Sequence, residues 1–398
     1  MALRFLFFFY LIPLIGFSQL NKDSVTVDDK WYNKFTIRGY VQTRYNRLFE
    51  TNPLLKCDQC DKSIGQGGGF FLRRARIILS GQLNNHVYFY FQPDFASSID
   101  DNSLNIAQIR DAYVDLSIGK GREFRLRIGQ SKIPFGFENM QSSSDRLPLD
   151  RNDALNSSFA NERDIGGFFY YAPANVRALW QELSDKELKP SGDYGVLGFG
   201  MFNGQGANKP EANDNLYKVV RLSYPLQLDQ QIIEPGIQAY TGEFTIPEDQ
   251  LNNGTKLLSD RTYTDERIAA SFILYPQPFG IQAEYNFGKG PEYDAATDSV
   301  VSKDLTGGYA TLSYMTKSGS HVVTPFVRGQ YYRGGKKFEA DARAYQVHEY
   351  EVGIEWQPMK YFELVAMYTF SQRWTSDRLN ENNLQNGSML RLQAQLNF

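Results

Sequence analysis

From Lys34 onward, apolar and polar residues alternate one by one through segment after segment, and the connections between segments are alternately long and short. A period of two belongs to β-strands with one apolar and one polar face. The long–short rhythm belongs to an antiparallel sheet in which every second connection lies on the same side, as when a barrel crosses a membrane with short turns on one of its sides. Few folds meet both conditions. The last segment shows the pattern plainly: Leu390, Leu392, Ala394, Leu396 and Phe398 fall on one face, and Met389, Arg391, Gln393, Gln395 and Asn397 on the other. A large β-sandwich also alternates, but it does not call for the connection rhythm or for an amphipathic strand at the very end.

The spacing predicts an all-β, transmembrane antiparallel barrel of about sixteen strands, wide enough for a water-filled channel. Past residue 18 no run of about 18 apolar residues occurs, which excludes spanning helices. Aromatic residues make up 15% of the 398, with 25 Tyr and 29 Phe, although mean hydropathy is only −0.45. That mixture suits a barrel with an aromatic-rich outer face and a polar interior. The formal charge of −3 carries no message about nucleic acid.

Residues 1–18 read as a signal peptide: Arg4, an apolar run from Phe5 to Ile15, then Gly16-Phe17-Ser18 with small residues before a cut at Gln19. Residues 19–33 form a polar periplasmic leader, and 34–398 the barrel domain. The only cysteines, Cys57 and Cys60, lie in a long loop. A Cys-x-x-Cys pair serves as half a zinc site, a redox pair or a small disulfide. His86, His321 and His348 are too dispersed to complete a metal site, and the flanks do not read as a helix start, so a disulfide formed on export is expected. No metal, cofactor or catalytic constellation is expected.

With the apolar parity assigned to lipid, the other parity collects arginines. Arg38 and Arg44 fall on the first strand, about 34–48, Arg74 and Arg76 on the second, and Arg125 and Arg127 on the fifth. Arg221, Arg267, Arg328 and Arg391 follow on later strands. Closure makes the last strand a neighbour of the first, so Arg391, Arg38, Arg44, Arg74 and Arg76 are expected to form one cationic wall. Guanidinium groups keep their charge at any working pH and can pass an anion from one to the next. Inward acids also occur: Asp94, Asp111, Asp115, Glu284, Glu349, Glu351, Glu355 and Glu363. They give the lumen mixed sign, as in general diffusion.

After Phe124–Ile128 the chain passes Gly129 to Gly136, with Lys132, and opens into a polar run before resuming alternation at Asp164. This run is expected to fold inward as a constriction loop, with Glu138, Asp145, Arg146, Asp150, Arg151, Asp153, Glu162 and Arg163 pairing among themselves to hold it. Ala172 to Gly192 is longer than its side of the barrel calls for, and Leu179–Leu183 in it reads as a short helix. Other long loops are expected near 245–262, 289–304, 334–344 and 373–386.

Phe71-Leu72-Arg73-Arg74-Ala75-Arg76, Ile128-Gly129-Gln130-Ser131-Lys132-Ile133-Pro134-Phe135-Gly136, Arg163-Asp164-Ile165-Gly166 and Phe202-Asn203-Gly204-Gln205-Gly206 resemble the porin O/P family, the phosphate-selective porins. So do Gly308-Tyr309 and Thr324-Pro325-Phe326-Val327-Arg328 with Gln330-Tyr331-Tyr332. The resemblance spans nearly the whole chain after the signal. It implies a homotrimeric, sixteen-stranded barrel in the bacterial outer membrane whose lumen carries arginines and a few lysines. Arg74, Arg76 and Lys132 match its motif positions. The expected activity is passive diffusion of small hydrophilic solutes with a tilt toward anions such as phosphate, and outer-membrane lipid is the other partner. The alternatives are a non-selective diffusion porin, a barrel enzyme or an adhesin. An enzyme would need a nucleophile with a base, and the three histidines lie apart with no motif around them.

Overall fold

A strand crossing hydrocarbon must satisfy every backbone N–H and C=O within the protein, and a sheet does so only by closing on itself. The computed structural model of the chain describes residues 31–50, 68–97, 105–119, 121–257 and 260–398, and it closes in this way. The first strands are β1 (Phe35–Glu50), β2 (Gly68–Gln82), β3 (Val87–Ser97), β4 (Ile106–Ile118), β5 (Phe124–Lys132) and β6 (Arg163–Tyr171). There follow β7 (Leu197–Phe202), β8 (Tyr217–Ser223), β9 (Gln231–Thr245), β10 (Thr262–Leu274) and β11 (Phe279–Asp294). The last are β12 (Ser299–Tyr314), β13 (His321–Gly335), β14 (Ala344–Met359), β15 (Phe362–Ser376) and β16 (Asn383–Asn397). Leu226–Leu228 extends β8 along β9, and Thr316–Ser318 extends β12 along β13, so the eighteen segments make sixteen staves. Each is antiparallel to its neighbours, and β16 pairs with β1 from Tyr40 opposite Asn397 to Glu50 opposite Gly387.

Side-chain parity follows the sequence. In β1, Tyr40, Gln42, Arg44 and Asn46 are buried, while Ile37 is 71% exposed on the other face. Phe70 is 79% exposed, and Leu312, Tyr285 and Val352 are exposed likewise. Such a belt of outward apolar side chains is matched to a lipid surround. No helix among the described residues is long and apolar enough to cross a membrane.

Two connections depart from expectation in length. Between β11 and β12 only residues 295–298 turn, and between β15 and β16 only 377–382, where longer loops were expected. The ladder continues from Lys289 opposite Asp304 to Asp294 opposite Ser299. Here polar residues occupy both faces, so the lipid–water alternation ends while the hydrogen bonding goes on.

Two connections are large. Residues 133–162, between β5 and β6, contain the short helices α1 (Phe137–Met140) and α2 (Asp153–Asn156). Ile133, Phe135, Leu155 and Phe159 are buried in one cluster with the inward-facing Phe168, Tyr217, Tyr240 and Tyr263. Residues 172–196, between β6 and β7, contain α3 (Ala174–Asp185), longer than the expected 179–183. Val176, Trp180 and Leu183 fall on one face of α3 and are buried. Residues 1–30 and Cys57 with Cys60 lie outside the described residues.

Candidate pore lining

The inward parity of β1, β2, β5, β13 and β16 places Arg44, Arg74, Arg76, Arg125, Arg127, Arg328 and Arg391 inside, all buried. Arg38 stands apart, exposed toward the short-turn end of β1. The expected wall is therefore not continuous, because the parity of β1 runs past the lumen into water.

The buried arginines are mostly paired, and several partners come from the 133–162 segment. Asp150 accepts from Arg44 Nη1 at 3.1 Å and from Arg391 Nη1 at 2.5 Å, and Arg73 Nη2 lies 3.4 Å away. Arg44 also donates to the Leu149 carbonyl at 2.9 Å. Arg328 donates to Glu138 at 2.9 Å and to Glu351 at 2.5 Å. From β11, Glu284 accepts the backbone N–H groups of Phe137 and Glu138 at 2.5 and 2.9 Å. Lys336 reaches Asp153 at 3.0 Å, and Arg267 donates to the carbonyl of Ala154 and the hydroxyl of Ser157. The segment's charges were expected to pair with one another. Arg151 with Glu162, at 2.7 Å, and Arg163 with Glu162, at 3.2 Å, do so, whereas Glu138 and Asp150 pair with the wall and Asp153 with Lys336 beyond β13. A carboxylate on the segment gains more from a buried guanidinium than from a neighbour in its own chain, because the wall charge would otherwise be buried alone.

Other inward pairs lie within the wall or tie the 172–196 connection to it. Arg76 meets Asp94 at 2.7 Å, Arg127 meets Asp115 at 2.7 Å, and Arg125 meets Asp193 at 2.6 Å. Arg221 joins Glu234 at 3.1 Å, and Arg163 joins Asp111 at 2.9 Å. Lys132 points to the Met140 and Gln141 carbonyls at 2.8 and 2.7 Å, closing the start of the segment on itself.

Three arginines differ. Arg267, bonded only to the Ala154 carbonyl and to Ser157, has no carboxylate partner among the described residues. Arg74 donates to the neutral amide of Gln42 at 2.7 Å and has no carboxylate partner among the described residues. Arg146, 4% exposed, has no hydrogen-bond partner on any of its three nitrogens among the described residues. Arg73, Arg76 and Arg146 lie near Arg74, and so does the carboxylate of Asp150. Burial and nearby Arg151 act against the charge of Arg146, while Glu138, Glu162 and Asp150 act for it. On the same segment the opposite holds: burial opposes ionisation of Asp150, but Arg44 and Arg391 outweigh it and hold the carboxyl well below its ordinary value. Glu162, buried beside Arg151 and Arg163, is brought down to about 2.

Asp164 fastens a turn rather than a cation. Its carboxylate accepts from the N–H groups of Ile165, Gly204 and Gly206 at 2.7, 2.8 and 3.0 Å. Gly204 has φ of 97°, and a Cβ there would lie 2.0 Å from the Tyr217 ring. This links the Arg163-Asp164-Ile165-Gly166 and Phe202–Gly206 motifs in one contact.

A family profile described as phosphate-selective porin O and P matches residues 55–398. The chain belongs to this porin family. Its fold is also that of solved porins. DcaP, an outer-membrane channel of Acinetobacter baumannii, is 15% identical with a TM-score of 0.54, covering 92% of this chain and 97% of its own. Salmonella typhi OmpF, in complex with daunomycin, is 13% identical with a TM-score of 0.56, covering 92% and 99%. An anion-selective porin from Comamonas acidovorans is 11% identical with a TM-score of 0.52, again covering 92% and 99%. A search of curated proteins returns no match. The porin is an outer-membrane diffusion channel of a bacterium.

Sequence reading of this porin passed over two groups. Arg373, assigned to a loop, is an inward residue of β15 bound to Glu349. Lys336 and Lys337, beyond β13, reach inward to Asp153 and Asp265. Glu363 and Arg373 share the odd, inward parity of β15, so the period carried on through the strand already points Arg373 to the inner face.

Proposed function

We propose that this porin favours small anions, phosphate among them, and that Arg74 with Arg146 is the selecting element. The supporting observation is the difference in pairing. Most wall arginines already have carboxylate partners and add little net field, whereas Arg74 on β2 and Arg146 on the 133–162 segment bond directly to no carboxylate among the described residues. A buried guanidinium without a partner calls for an acceptor, and an oxyanion offers several in a planar, bidentate arrangement. The 133–162 segment, tied to inward residues of β1, β11, β13 and β16, forms the constriction in this reading. Residues 1–18 direct export and residues 19–33 lead into the barrel. The assembly is a homotrimer, as family membership suggests.

The test is a reversal potential across a planar bilayer in a potassium phosphate or chloride gradient. Neutralising Arg74 or Arg146 to Gln should lower anion permeability by about twofold to fivefold and raise cation permeability likewise, the effect of one unit charge about 8 Å away at an effective dielectric of 40–80, so that the ratio falls by about fivefold or more. An unchanged ratio would place selection elsewhere. A wild-type channel without preference would support general diffusion.

A further inference from the structure

The connection between β6 and β7 lies on the side of the barrel where the other turns are short, yet it runs from residue 172 to 196 and carries the longest helix among the described residues. Its course can be followed from its partners. At its start the Ala172 N–H donates to the Glu123 carbonyl, and Arg177 donates to the carbonyls of Gly121 and Arg122 at the β4–β5 turn. The buried face of α3 packs on Ile232 of β9 and on Ile273 and Tyr275 at the end of β10. Trp180 Nε1 donates to Glu234 of β9 at 3.3 Å. Beyond α3, Lys317 from the β12–β13 turn donates to the Lys186 carbonyl at 3.1 Å. Lys189 then reaches Glu355 of β14 at 2.8 Å, with Glu363 of β15 at 3.9 Å. The chain returns through Asp193, held by Arg125, to rejoin the wall at β7.

In a ring of sixteen staves, β6 and β14 are eight positions apart, which is diametrically opposite. Ile232, Glu234, Ile273, Glu355 and Glu363 are all buried, and they belong to the inward parity of their strands. A segment that starts at β6 and bonds to the inner side of β14 therefore crosses the mouth. It is also joined to the segment above it: Gln141 Nε2 donates to the Lys189 carbonyl at 2.6 Å, and Phe137 belongs to the same buried cluster as Trp180.

We infer that residues 172–196 form a strap across the periplasmic mouth, a second size-limiting aperture distinct from that made by 133–162, with Lys189 as its latch on the far wall. It selects solutes by size on leaving the lumen, whatever selection by charge precedes it. The inference rests on the channel reading but not on anion preference.

Single-channel conductance in planar bilayers tests it, with each protein first confirmed as a closed barrel by its heat-modifiable gel mobility. Lys189→Gln removes the latch charge while keeping the chain's length, and Trp180→Ala removes the packing of α3 on β9. Gln181→Ala, on the exposed face of α3, is the control. Both test variants should raise conductance by about twofold or more, since current through a limiting aperture follows its open area. The reversal potential of Trp180→Ala should stay near that of the wild type, whereas Lys189→Gln, which frees Glu355 and Glu363, should also shift it toward cations. A chain in which residues 174–189 are replaced by a flexible Gly-Ser linker should conduct at least as well as either, and serves if a point variant fails to close. Conductance equal to wild type in the linker variant overturns the strap and leaves the channel reading intact. Current in the linker variant but not in the wild type supports the strap as a closed gate. Silence in every protein overturns both.

Discussion

Replacing Asp150 with Asn keeps the shape of the side chain and one acceptor oxygen while removing a charge shared by Arg44, Arg391 and, more loosely, Arg73. Neutralising one partner of a buried ion pair costs about 3–5 kcal/mol, because the other charge is left buried and alone. The lower end applies here. Arg44 keeps its bonds to the Leu149 carbonyl and to Gln393, at 2.9 Å each, and Asn still accepts one bond. A loss of about 3 kcal/mol raises the population with this end of the segment detached by roughly a hundredfold. The Glu138–Arg328 contact remains, so the segment loosens at one end without leaving the lumen. The second effect is electrostatic. One freed unit of positive charge acting on an ion about 8 Å away is worth about 0.5–1 kcal/mol at an effective dielectric of 40–80, or about twofold to fivefold in favour of anions. Asp150→Asn should therefore increase both open-channel noise and anion preference, read from single-channel records and from the reversal potential in a salt gradient. Adding Arg391→Gln should return the preference toward wild type. If neither quantity moves in a correctly closed barrel, Asp150 does not neutralise the wall and the pairing scheme is wrong.

Acid should loosen the same segment without any substitution. Glu162 is held at about 2 against an ordinary 4.5, and Asp150 well below its usual range, so their contribution is complete above about pH 4.5 and is lost as pH falls toward 2. Channel noise should rise over that window, and Glu162→Gln should show part of the acid behaviour already at neutral pH. Asp164→Ala leaves the amides of Gly204 and Gly206 without their acceptor, at a cost of about 1–3 kcal/mol. Limited proteolysis within residues 203–210 should speed up, while conductance, set elsewhere, should hardly change.

Strand direction was legible because lipid and water impose opposite demands on alternate residues. Tyr40, Gln42 and Arg44 on β1, or Arg125 and Arg127 on β5, could be assigned inward from the period alone. The same physics explains the failures. Past Lys289 on β11, both faces meet water and the period carries no information, so a continuing hairpin read as a loop. Parity also states which way an arginine points but not what it meets. Arg44 and Arg391 looked like free charges, yet their partner is Asp150, more than 100 residues from Arg44 and more than 200 from Arg391 in the chain. Arg146 was visible only as one polar residue among many, and its lack of a partner emerges from three-dimensional packing alone. In α3 the spacing of Val176, Trp180 and Leu183 was present in the sequence, and a helix was expected there. The wall it packs against could not be read, since β9 and β10 lie beyond it in the chain.

The division between paired and unpaired guanidinium groups bears on how such a channel can drift over generations. A change at Arg328 takes the guanidinium from both Glu138 and Glu351, and a change at Arg44 or Arg391 takes one of the two close partners of Asp150, so each calls for a second change before the fold tolerates it. A change at Arg74 or Arg146 breaks no direct bond to a carboxylate among the described residues. Permeant preference can thus be retuned by single substitutions at these two sites while the scaffold stays under strict constraint, and a lineage facing a different nutrient supply would be expected to vary there first.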